Sequence, residues 1–464
     1  MASEPLGIAL VGCGTVGTGV ARLLLDHKDR LARRAGRPLA LRRVVVRDPH
    51  KTRLADLPRD LLTTDPQAAL ADPAVHVVAE LVGGTTFARQ LVLDALAAGK
   101  HVVTANKALL AEHGPEVFEA ARKAERAVCF EAAVAGGVPI IRALAESLAA
   151  NQVTAIQGIL NGTSNYILTA MAEDGATYAA ALADAQRLGY AEADPTLDVD
   201  GSDAAHKLAI LAQIAFGVVA KPTDIERQGI DRVDAMDVRF AAELGYTIKL
   251  LAEAWASSDE SQVASRQVSS QQPGANSGTC DLRLADLKTV ALHVAPVLLR
   301  HTDMLAQVRG AHNAVQVVGD VVGETLYQGP GAGMMPTAGA VVSDLIDVAV
   351  GRAQRTFAAA KLWGREGNGF TVEPSERVRS RFYLRLLVLD RPGTLADVCR
   401  ALADQGISIS SVIQHEAQEG HPEQTVPLVV MTHTAETGRF RAAVAAIDRL
   451  PGVATPAVSY SVDD

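Results

Sequence analysis

The stretch Leu6–Gly17, LGIALVGCGTVG, decides the first part of the fold. Leu6–Val11 is an apolar run with the length of a buried strand, and the pattern G-x-G-x-x-G follows at once, formed by Gly12, Cys13, Gly14, Thr15, Val16 and Gly17. Val20–Leu25 then continues as a helix. This order predicts a dinucleotide-binding turn, because the glycines let the backbone approach a pyrophosphate at the positive helix N-terminus. A purely structural strand-to-helix turn is the alternative.

Length and composition restrict the class of protein. A chain of 464 residues favours roughly three domains. With 44 basic and 53 acidic residues the net charge is −9, so we expect no nucleic-acid partner. The cysteines are far apart and form no CxxC pair, which fits a reducing cytosol better than a disulfide framework or a zinc site. No N-terminal signal is visible, and no apolar run reaches the roughly 18 residues of a membrane span. We therefore expect a cytoplasmic protein.

The second predicted strand, Leu41–Val46, bears on the choice of cofactor. An acid after this strand would bind the ribose 2′-hydroxyl of NAD, whereas an arginine would accept the 2′-phosphate of NADP. Arg47 comes first, Asp48 second, and Lys51 is close behind. The order favours NADP, with NAD possible. Arg47 as a surface charge at a strand end is the alternative.

Two further strands end in polar or small residues. Val75–Val82 is predicted as a strand that ends in Gly83, Gly84 and Thr85, and such residues suit a ribose or nicotinamide lying close. Lys107 comes shortly after the predicted strand His101–Thr104. Open α/β sheets bind ligands at this edge, so Thr85 and Lys107 are candidate site residues.

An acidic stretch, Gly189–Lys207, has the sequence GYAEADPTLDVDGSDAAHK. Its first part is predicted as a loop because proline and glycine break it, and Ser202 is predicted to cap the helix that follows. Asp203 and Lys207 are four residues apart and share one helix face. One interpretation is a solvated loop with a salt bridge, worth only a few tenths of a kcal/mol. The other is a pocket whose carboxylates hold an ammonium group and whose lysine moves a proton.

The acidic stretch resembles the signature of homoserine dehydrogenase. The strings TANKALLA at 104–111 and NGTSN at 161–165 also match that family, so the resemblance spans nearly the whole chain. It implies reversible NAD(P)-dependent reduction of L-aspartate 4-semialdehyde to L-homoserine. By resemblance Lys207 is the proton donor and acceptor, and Lys107 contacts the cofactor or substrate. The implied substrate-binding residues are Glu192, Asp198, Asp203, Gly162 and Thr163.

The resemblance also implies a monovalent cation, such as Na⁺. The predicted strand Ala127–Phe130 is followed by EAAVAGGVP at 131–139. In the family a segment like this binds the ion through an acidic side chain and backbone carbonyls, and oxygen ligands suit hard cations. The matching positions are Glu131, Val134, Gly136 and Val138. Without the resemblance, the segment predicts only a tight turn before a helix.

Two segments after the acidic stretch differ in what they predict. Residues 257–280 are rich in Ser, Gln and Gly, and we interpret them as an insertion or mobile surface loop without chemistry. Glycines at 329–333 precede an apolar helix that runs to about Val350. The resemblance places this helix back on the dinucleotide domain, with Gly331 near the cofactor. A simple loop-to-helix joint is the alternative.

The C-terminal part has the pattern β-α-β-β-α-β. With Asp390, Arg391, Pro392 and Gly393 at its first turn, it resembles an ACT domain, a small amino-acid sensor. The resemblance implies L-threonine as effector, bound through Asp390, Gly393 and the strand 408–414. A purely structural dimerisation role is the alternative.

The predicted fold class is α/β with three domains and a linker. Residues 1–150 form a Rossmann domain completed by 318–350, and 151–317 form an α+β substrate-binding and dimerisation domain. A linker at 351–378 leads to the ferredoxin-like ACT domain at 379–464. Val-rich strands used in parallel suggest a homodimer or homotetramer. Two other functions stay open: another Rossmann reductase of a small aldehyde or keto acid, and a non-catalytic amino-acid sensor.

Overall fold

The computed structural model describes residues 4–51, 57–258, 287–364, 370–414 and 425–463. In this part of the chain, one six-stranded sheet and one twelve-stranded sheet organise the fold. Most of the predicted insertion, from residue 259 to 280, lies outside the described residues.

The six-stranded sheet forms the dinucleotide domain. Its parallel strands are β1 (Leu6–Val11), β2 (Leu39–Val45), β3 (Leu62–Thr63), β4 (Val77–Glu80), β5 (His101–Thr104) and β6 (Val128–Cys129), in the order β3-β2-β1-β4-β5-β6. The helices between them are α1 (Thr15–Asp26), α2 (Lys28–Ala35), α3 (Pro66–Ala71), α4 (Thr86–Ala97) and α5 (Lys107–Ala124). All six residues of β1 are buried, as expected for a parallel strand covered on both faces. The predicted Rossmann architecture is confirmed, and its strand order reverses between β1 and β4, where such sheets bind ligands.

The second domain begins after the short helix α6 (Ile140–Arg142). Its helices are α7 (Gly162–Glu173), α8 (Tyr178–Arg187), α9 (Thr196–Val199), α10 (Ser202–Phe216) and α11 (Ala235–Glu243). Its strands are β7 (Val153–Ile159), β8 (Glu226–Arg227), β9 (Tyr246–Ser258), β10 (Leu287–Arg300), β11 (His312–Gly319) and β12 (Gly323–Pro330). The long strands pair antiparallel in the order β12-β11-β7-β9-β10, so the expected parallel use of Val-rich strands is wrong.

The boundary predicted at residue 318 differs from the structure. The strands β11 and β12 form a hairpin that pairs Gly319 with Gly323, so residues 318–330 belong to the second sheet. Only the next helix, α12 (Met334–Val350), returns to the dinucleotide domain, where it packs against α1. The approach is close, because a Cβ atom at Gly19 would lie 2.9 Å from the Cβ of Ala338.

The predicted linker at 351–378 contains ordered, packed structure. The helix α13 (Arg352–Ala360) follows α12, and β13 (Thr371–Val372) pairs with β10. Trp363 is buried, with its ring centroid 4.3 Å from that of Phe118 on α5. Arg122 of α5 donates to the carbonyls of Leu362 and Trp363 at 2.8 and 3.1 Å. The segment is therefore anchored to α5, which its charged residues and glycines did not indicate.

No single helix in the described ranges is long and apolar enough to cross a membrane. The helices α12 and α13 pass that test only as a pair, and they meet at an angle of 92°.

The C-terminal domain has the predicted β-α-β-β-α-β order. It consists of β14 (Arg379–Leu389), α14 (Thr394–Asp404), β15 (Ile409–Gln414), β16 (Thr425–Thr432), the two-residue β17 (Ala435–Glu436), α15 (Thr437–Ile447) and β18 (Val458–Asp463). Its strand order, β18-β14-β16-β15, is that of a ferredoxin-like sheet. The strand β18 also pairs parallel with β10, so this domain extends the sheet of the second domain.

A buried carboxylate joins these two domains. Asp237 on α11 is fully buried and accepts hydrogen bonds from the Tyr383 hydroxyl at 3.0 Å and from Arg385 Nη2 at 3.0 Å. Tyr460 of β18 donates to the same carboxylate at 3.3 Å. All three donors belong to the C-terminal domain, so Asp237 holds it against α11.

Replacing Asp237 by leucine is expected to lower the free energy of unfolding by about 3–5 kcal/mol, because Arg385 would stay buried without its anion. Chemical denaturation of the full chain measures this change. The double variant Asp237→Leu, Arg385→Met should recover most of the loss, since both charges are then removed. A single variant as stable as the unmodified chain contradicts this role of Asp237.

Candidate active site

The turn after β1 has the geometry of a phosphate-binding turn. Gly12 has φ of 96°, and a Cβ atom there would lie 2.6 Å from the Leu81 carbonyl oxygen. A Cβ atom at Gly17 would lie 2.1 Å from the Gly12 carbonyl oxygen. Gly14 faces open space and caps α1 without a side-chain hydrogen bond. The N-terminus of α1 is thus accessible to an anion, and these residues fit the pyrophosphate of a dinucleotide.

Arg47 and Thr85 flank this turn. Arg47 is exposed just after β2, and β2 adjoins the turn because the Gly12 amide donates to the Val45 carbonyl at 3.0 Å. Thr85 precedes α4 and makes no capping hydrogen bond to it. Both residues lie at the edge of the sheet where the cofactor was predicted.

A buried acid, which the sequence interpretation missed, organises the neighbouring loop. Glu80 is fully buried at the end of β4 and accepts from the Thr104 hydroxyl at 2.6 Å and from the Val82 amide at 2.9 Å. Asn106, just before α5, donates to the Gly84 carbonyl at 2.7 Å. Together these bonds fix the Gly83–Gly84 loop and the start of α5, where Lys107 lies. The signal in the sequence was an acid at the end of an apolar strand.

The centre of the candidate site is the carboxylate of Asp203. Lys107 Nζ contacts Asp203 Oδ1, and Lys207 Nζ donates to Asp203 Oδ2 at 2.7 Å. Lys107 begins α5 of the dinucleotide domain, whereas Asp203 and Lys207 lie on α10 of the second domain. The side chain of Lys207 is 11% exposed and that of Lys107 is 41% exposed. The predicted pair on one helix face is confirmed, and a second lysine completes it across the domain boundary.

Two asparagines support this centre. Asn161 Nδ2 donates to Asp203 Oδ2 at 2.9 Å and to Asp198 Oδ1 at 2.8 Å, while its own oxygen caps α7. Lys207 Nζ also donates to the Leu160 carbonyl at 2.6 Å, and Asn313 Nδ2 donates to the same oxygen at 2.8 Å. Neither asparagine was predicted as a site residue, although Asn161 lies in the NGTSN string.

The charges of the centre shift one another's pKa values. Burial raises the pKa of Asp203, but the ammonium groups of Lys207 and Lys107 outweigh burial and hold this pKa below its usual value. Burial lowers the pKa of Lys207, and the Asp203 carboxylate opposes that shift. Burial also raises the pKa of Asp198. Asp203 therefore stays ionised, and Lys207 releases its proton more readily than a lysine in water.

The start of α10 differs by one residue from the prediction. Gly201, with φ of 84°, is the capping residue, and Ser202 is the first residue of the helix. Asp200 accepts from the Ser202 amide and from the Ser202 hydroxyl, each at 2.8 Å. A left-handed φ suits glycine, which explains why Gly201 rather than Ser202 caps the helix. This turn starts the helix that carries Asp203 and Lys207, and Lys207 reaches the Leu160 carbonyl from it.

Three of the predicted substrate-binding residues lie outside the hydrogen-bond network of Asp203 and the two lysines. The Thr163 hydroxyl donates to the Tyr190 carbonyl at 2.7 Å and so ties the acidic loop to α7. A Cβ atom at Gly162 would lie 2.7 Å from the Ala311 carbonyl oxygen, so this glycine permits close packing. Glu192 is exposed in the loop between α8 and α9, and among the described residues no hydrogen bond or ion pair joins its side chain to Asp203.

The predicted cation segment packs against the loop that contains Gly331. Glu131 is buried, and its carboxylate accepts from the amides of Ile141 and Arg142 at 3.0 Å each. Burial raises the pKa of Glu131 to about 7, although Arg142 and the amide hydrogen bonds act in the opposite direction. Ala135 has φ of 49°, which makes the turn tight. Across the described ranges, no three His, Cys, Asp or Glu side chains are grouped to hold a metal ion.

Gly331 lies beside the lysine centre. A Cβ atom at this position would lie 2.0 Å from Cγ of Asn313, which explains the glycine. Asn313 Oδ1 is buried, and no hydrogen-bond partner for it lies in the described part of the chain. Gly331 therefore allows Asn313 to reach the Leu160 carbonyl, and its proximity to the cofactor remains a prediction.

In the candidate effector site, the turn that contains Asp390 lies close to the end of the predicted effector strand. Asp390 is exposed, and Gln414 at the end of β15 donates to it at 3.4 Å. Gly393 caps α14 with φ of 96°, a value that favours glycine.

Comparison with known proteins identifies the family. The family described as "Homoserine dehydrogenase, NAD binding domain" matches residues 12–131, "Homoserine dehydrogenase" matches 139–346, and "ACT domain" matches 382–452. The homoserine dehydrogenase of Pseudomonas aeruginosa is 41% identical, and the alignment covers 99% of each chain. That of Bacillus subtilis is 38% identical over 93% of each chain.

Solved structures agree with these matches. The crystal structure of a homoserine dehydrogenase from Thiobacillus denitrificans has a TM-score of 0.84 and 40% identity, and covers 100% of this chain and 99% of that chain. A hyperthermophilic archaeal homoserine dehydrogenase in complex with NADPH has a TM-score of 0.56 and 25% identity, over 74% of this chain and 97% of that chain. The chain therefore belongs to the homoserine dehydrogenase family, an oxidoreductase family, with an NAD(P)-binding domain and a C-terminal ACT domain.

Proposed function

We propose that this protein catalyses the reversible, NAD(P)-dependent reduction of L-aspartate 4-semialdehyde to L-homoserine. The observation that carries the proposal is the position of Asp203 between two lysines, one from each domain. The pair of ammonium groups can hold a carbonyl oxygen and supply its proton, and the buried carboxylate keeps both groups in place.

The roles of the three charged groups follow from their burial. The nicotinamide cofactor, when bound, supplies or accepts the hydride. Lys207 is the group that gives a proton to the substrate oxygen in the reduction and takes it back in the oxidation, because burial lowers its pKa. Lys107 is half-exposed at the sheet edge, so it contacts the substrate or the cofactor directly. The two carboxylate oxygens of Asp203 contact these lysines, so Asp203 positions both ammonium groups in the free enzyme. It is also proposed to bind the substrate.

The amino-acid part of the substrate requires a carboxylate. We assign its α-ammonium group to Glu192, which lies in the exposed loop that Thr163 ties to α7. Asp198, with its neighbour Asn161, shapes the polar wall of the pocket, and Gly162 lets the chain pass closely. Glu192 then has to move toward Asp203 when substrate binds, since loops carry such motions.

Turnover tests the proposed reaction. We expect the purified full chain to oxidise NADPH when L-aspartate 4-semialdehyde is added, and to reduce NADP⁺ when L-homoserine is added. Absorbance of NADPH measures both directions. Turnover only with a different aldehyde would favour another Rossmann reductase, and no turnover with NADPH or NADH would favour the amino-acid sensor.

We propose NADP as the preferred cofactor. The exposed Arg47 beside the glycine turn supports this choice, as does the NADPH bound by the archaeal relative. Replacing Arg47 by alanine should raise the KM for NADPH roughly tenfold or more and leave the KM for NADH nearly unchanged, because only NADPH carries the 2′-phosphate. Initial rates with both cofactors measure this difference. Equal effects on the two KM values would contradict the assignment of Arg47.

We further propose a monovalent cation, such as Na⁺, at the 131–138 segment. The backbone carbonyls of Val134, Gly136 and Val138 lie in a tight turn, and Glu131 adds a buried carboxylate with unused lone pairs. Bound there, an ion would stiffen the turn against the Gly331 loop, to which the Gly137 amide is bonded at 3.0 Å.

The cellular location of the protein is inferred to be cytoplasmic because the described cysteines are free.

The ACT domain is proposed to bind L-threonine at the turn that contains Asp390 and Gly393. The chain is proposed to form a homodimer or homotetramer through its second domain. Threonine should suppress turnover of the unmodified chain. The variant Asp390→Asn should keep its turnover and lose most of this response, because Asp390 is exposed on the C-terminal domain, whereas Lys207 lies on α10 of the second domain. Initial rates with and without threonine measure both. Full inhibition of this variant would remove Asp390 from the effector site.

A further inference from the structure

A cavity of about 290 Å³ lies between the second domain and the ACT domain. The strands β8 and β10 form one wall, and β14, α15 and β18 form the other. Its size approaches that of typical small-molecule pockets, which begin at about 300 Å³. Neither the lysine centre nor the Asp390–Gly393 turn contributes a residue to its lining. Phe382 in the lining and Asp390 lie near opposite ends of β14, roughly 26 Å apart along an extended strand.

The lining of this junction cavity combines two kinds of surface. Its apolar part includes Leu292, Phe382 and Phe440, all buried, and the two phenyl rings stack with centroids 3.9 Å apart. Its charged part includes Glu226 and Arg441, whose side chains contact each other and are 39% and 46% exposed. Arg227 and Asp448 also line the cavity, and the Glu226–Arg441 pair provides an anion and a cation in contact next to the apolar wall.

We propose that the junction cavity binds a free α-amino acid with an aliphatic side chain. The ammonium and carboxylate groups of such a molecule are separated by a single carbon, so they match the adjacent Glu226 and Arg441. Charge-assisted bonds of this kind are the strong polar contacts of a binding site. The aliphatic side chain would lie against Phe382 and Leu292, where it is removed from water. The site is additional to the turn proposed for threonine.

Calorimetric titration of the full-length chain with L-leucine tests the proposal. Leucine has the required zwitterion and a branched apolar side chain, and it is smaller than the cavity. Saturable binding is expected for leucine, and binding at least tenfold weaker is expected for 4-methylpentanoate and for 3-methylbutylamine. The first compound lacks the ammonium group and the second lacks the carboxylate, so each leaves one charge of the site without its partner.

Two pairs of variants locate the binding. Ala445→Leu fills the cavity from an exposed position of α15, and Arg441→Gln removes the cation. Each should weaken leucine binding roughly tenfold or more. The matched controls are Ala446→Leu on α15 and Arg449→Gln just after it. Both residues are exposed and neither lines the cavity, so these variants should leave leucine binding unchanged.

Four results would overturn the proposal, and the first three concern the junction cavity itself. They are the absence of saturable leucine binding to the unmodified chain, binding that both Ala445→Leu and Arg441→Gln leave intact, and equal binding of 4-methylpentanoate. Loss of leucine binding in Asp390→Asn would also overturn it, because the ligand would then occupy the effector turn. None of these results depends on turnover, so the proposed reaction stands or fails separately.

Discussion

Replacing Lys207 by alanine is expected to lower kcat by about 10²–10⁴-fold while cofactor binding stays unchanged. Lys207 lies buried between Asp203 and the Leu160 carbonyl, and burial lowers its pKa. The glycine turn that fits the cofactor belongs to the other domain, so NADPH binding does not require this side chain. Steady-state rates measure kcat, and the quenching of NADPH fluorescence measures binding.

Two additions separate chemistry from structure in this experiment. Ethylamine added to Lys207→Ala should restore part of the lost rate, since a small ammonium ion can enter the space of the side chain. Lys123→Ala on α5, where the lysine side chain is 75% exposed, is the matched control and should keep full turnover. Near-normal kcat in Lys207→Ala would remove this residue from the proton transfer.

Replacing Asp203 by asparagine is expected to lower kcat by at least about 10²-fold and to destabilise the protein. Two lysines would lose their shared carboxylate, and misplacement of a catalytic group by about 1 Å already costs that much. Breaking a buried ion pair typically costs about 3–5 kcal/mol. Steady-state rates and chemical denaturation measure the two effects. Asp194→Asn in the exposed part of the same stretch is the matched control, expected to match the unmodified chain.

The pH dependence of Asp203→Asn gives a sharper test. Reduction of the aldehyde needs the protonated form of Lys207, so the rate falls as pH rises through the pKa of this lysine. Asp203 raises that pKa, opposing burial. Without the carboxylate the pKa drops, and the fall in rate should move to lower pH. An unchanged or upward-shifted profile would show that Asp203 does not act on Lys207.

Local patterns predicted those parts of the site that local geometry determines. The glycine turn after β1 depends on contiguous residues, and the Asp203–Lys207 contact depends on a spacing of four along one helix. The ACT pattern was also predictable, because alternating strands and helices of ordinary length produce it. The one-residue error at Ser202 arose because both glycine and serine are common capping residues.

Contacts between distant segments could not be predicted in this way. Lys107 reaches Asp203 only because α5 and α10 pack across two domains, and no periodicity records that packing. Asn161 entered the prediction only as part of the NGTSN string, although its amide bonds to two carboxylates that lie far along the chain. The hairpin of β11 and β12, and the anchoring of Trp363 on α5, likewise depend on which surfaces meet.

The most direct test compares two aldehydes that differ only in the α-amino group. The full chain should reduce L-aspartate 4-semialdehyde, and the amine-free aldehyde 4-oxobutanoate should react with a kcat/KM at least about 10²-fold lower. A pocket built to bind an ammonium group leaves its carboxylates unpaired when that group is missing. Equal kcat/KM values for the two aldehydes, or reduction of 4-oxobutanoate alone, would contradict an amino-aldehyde pocket around Asp203, Lys107 and Lys207.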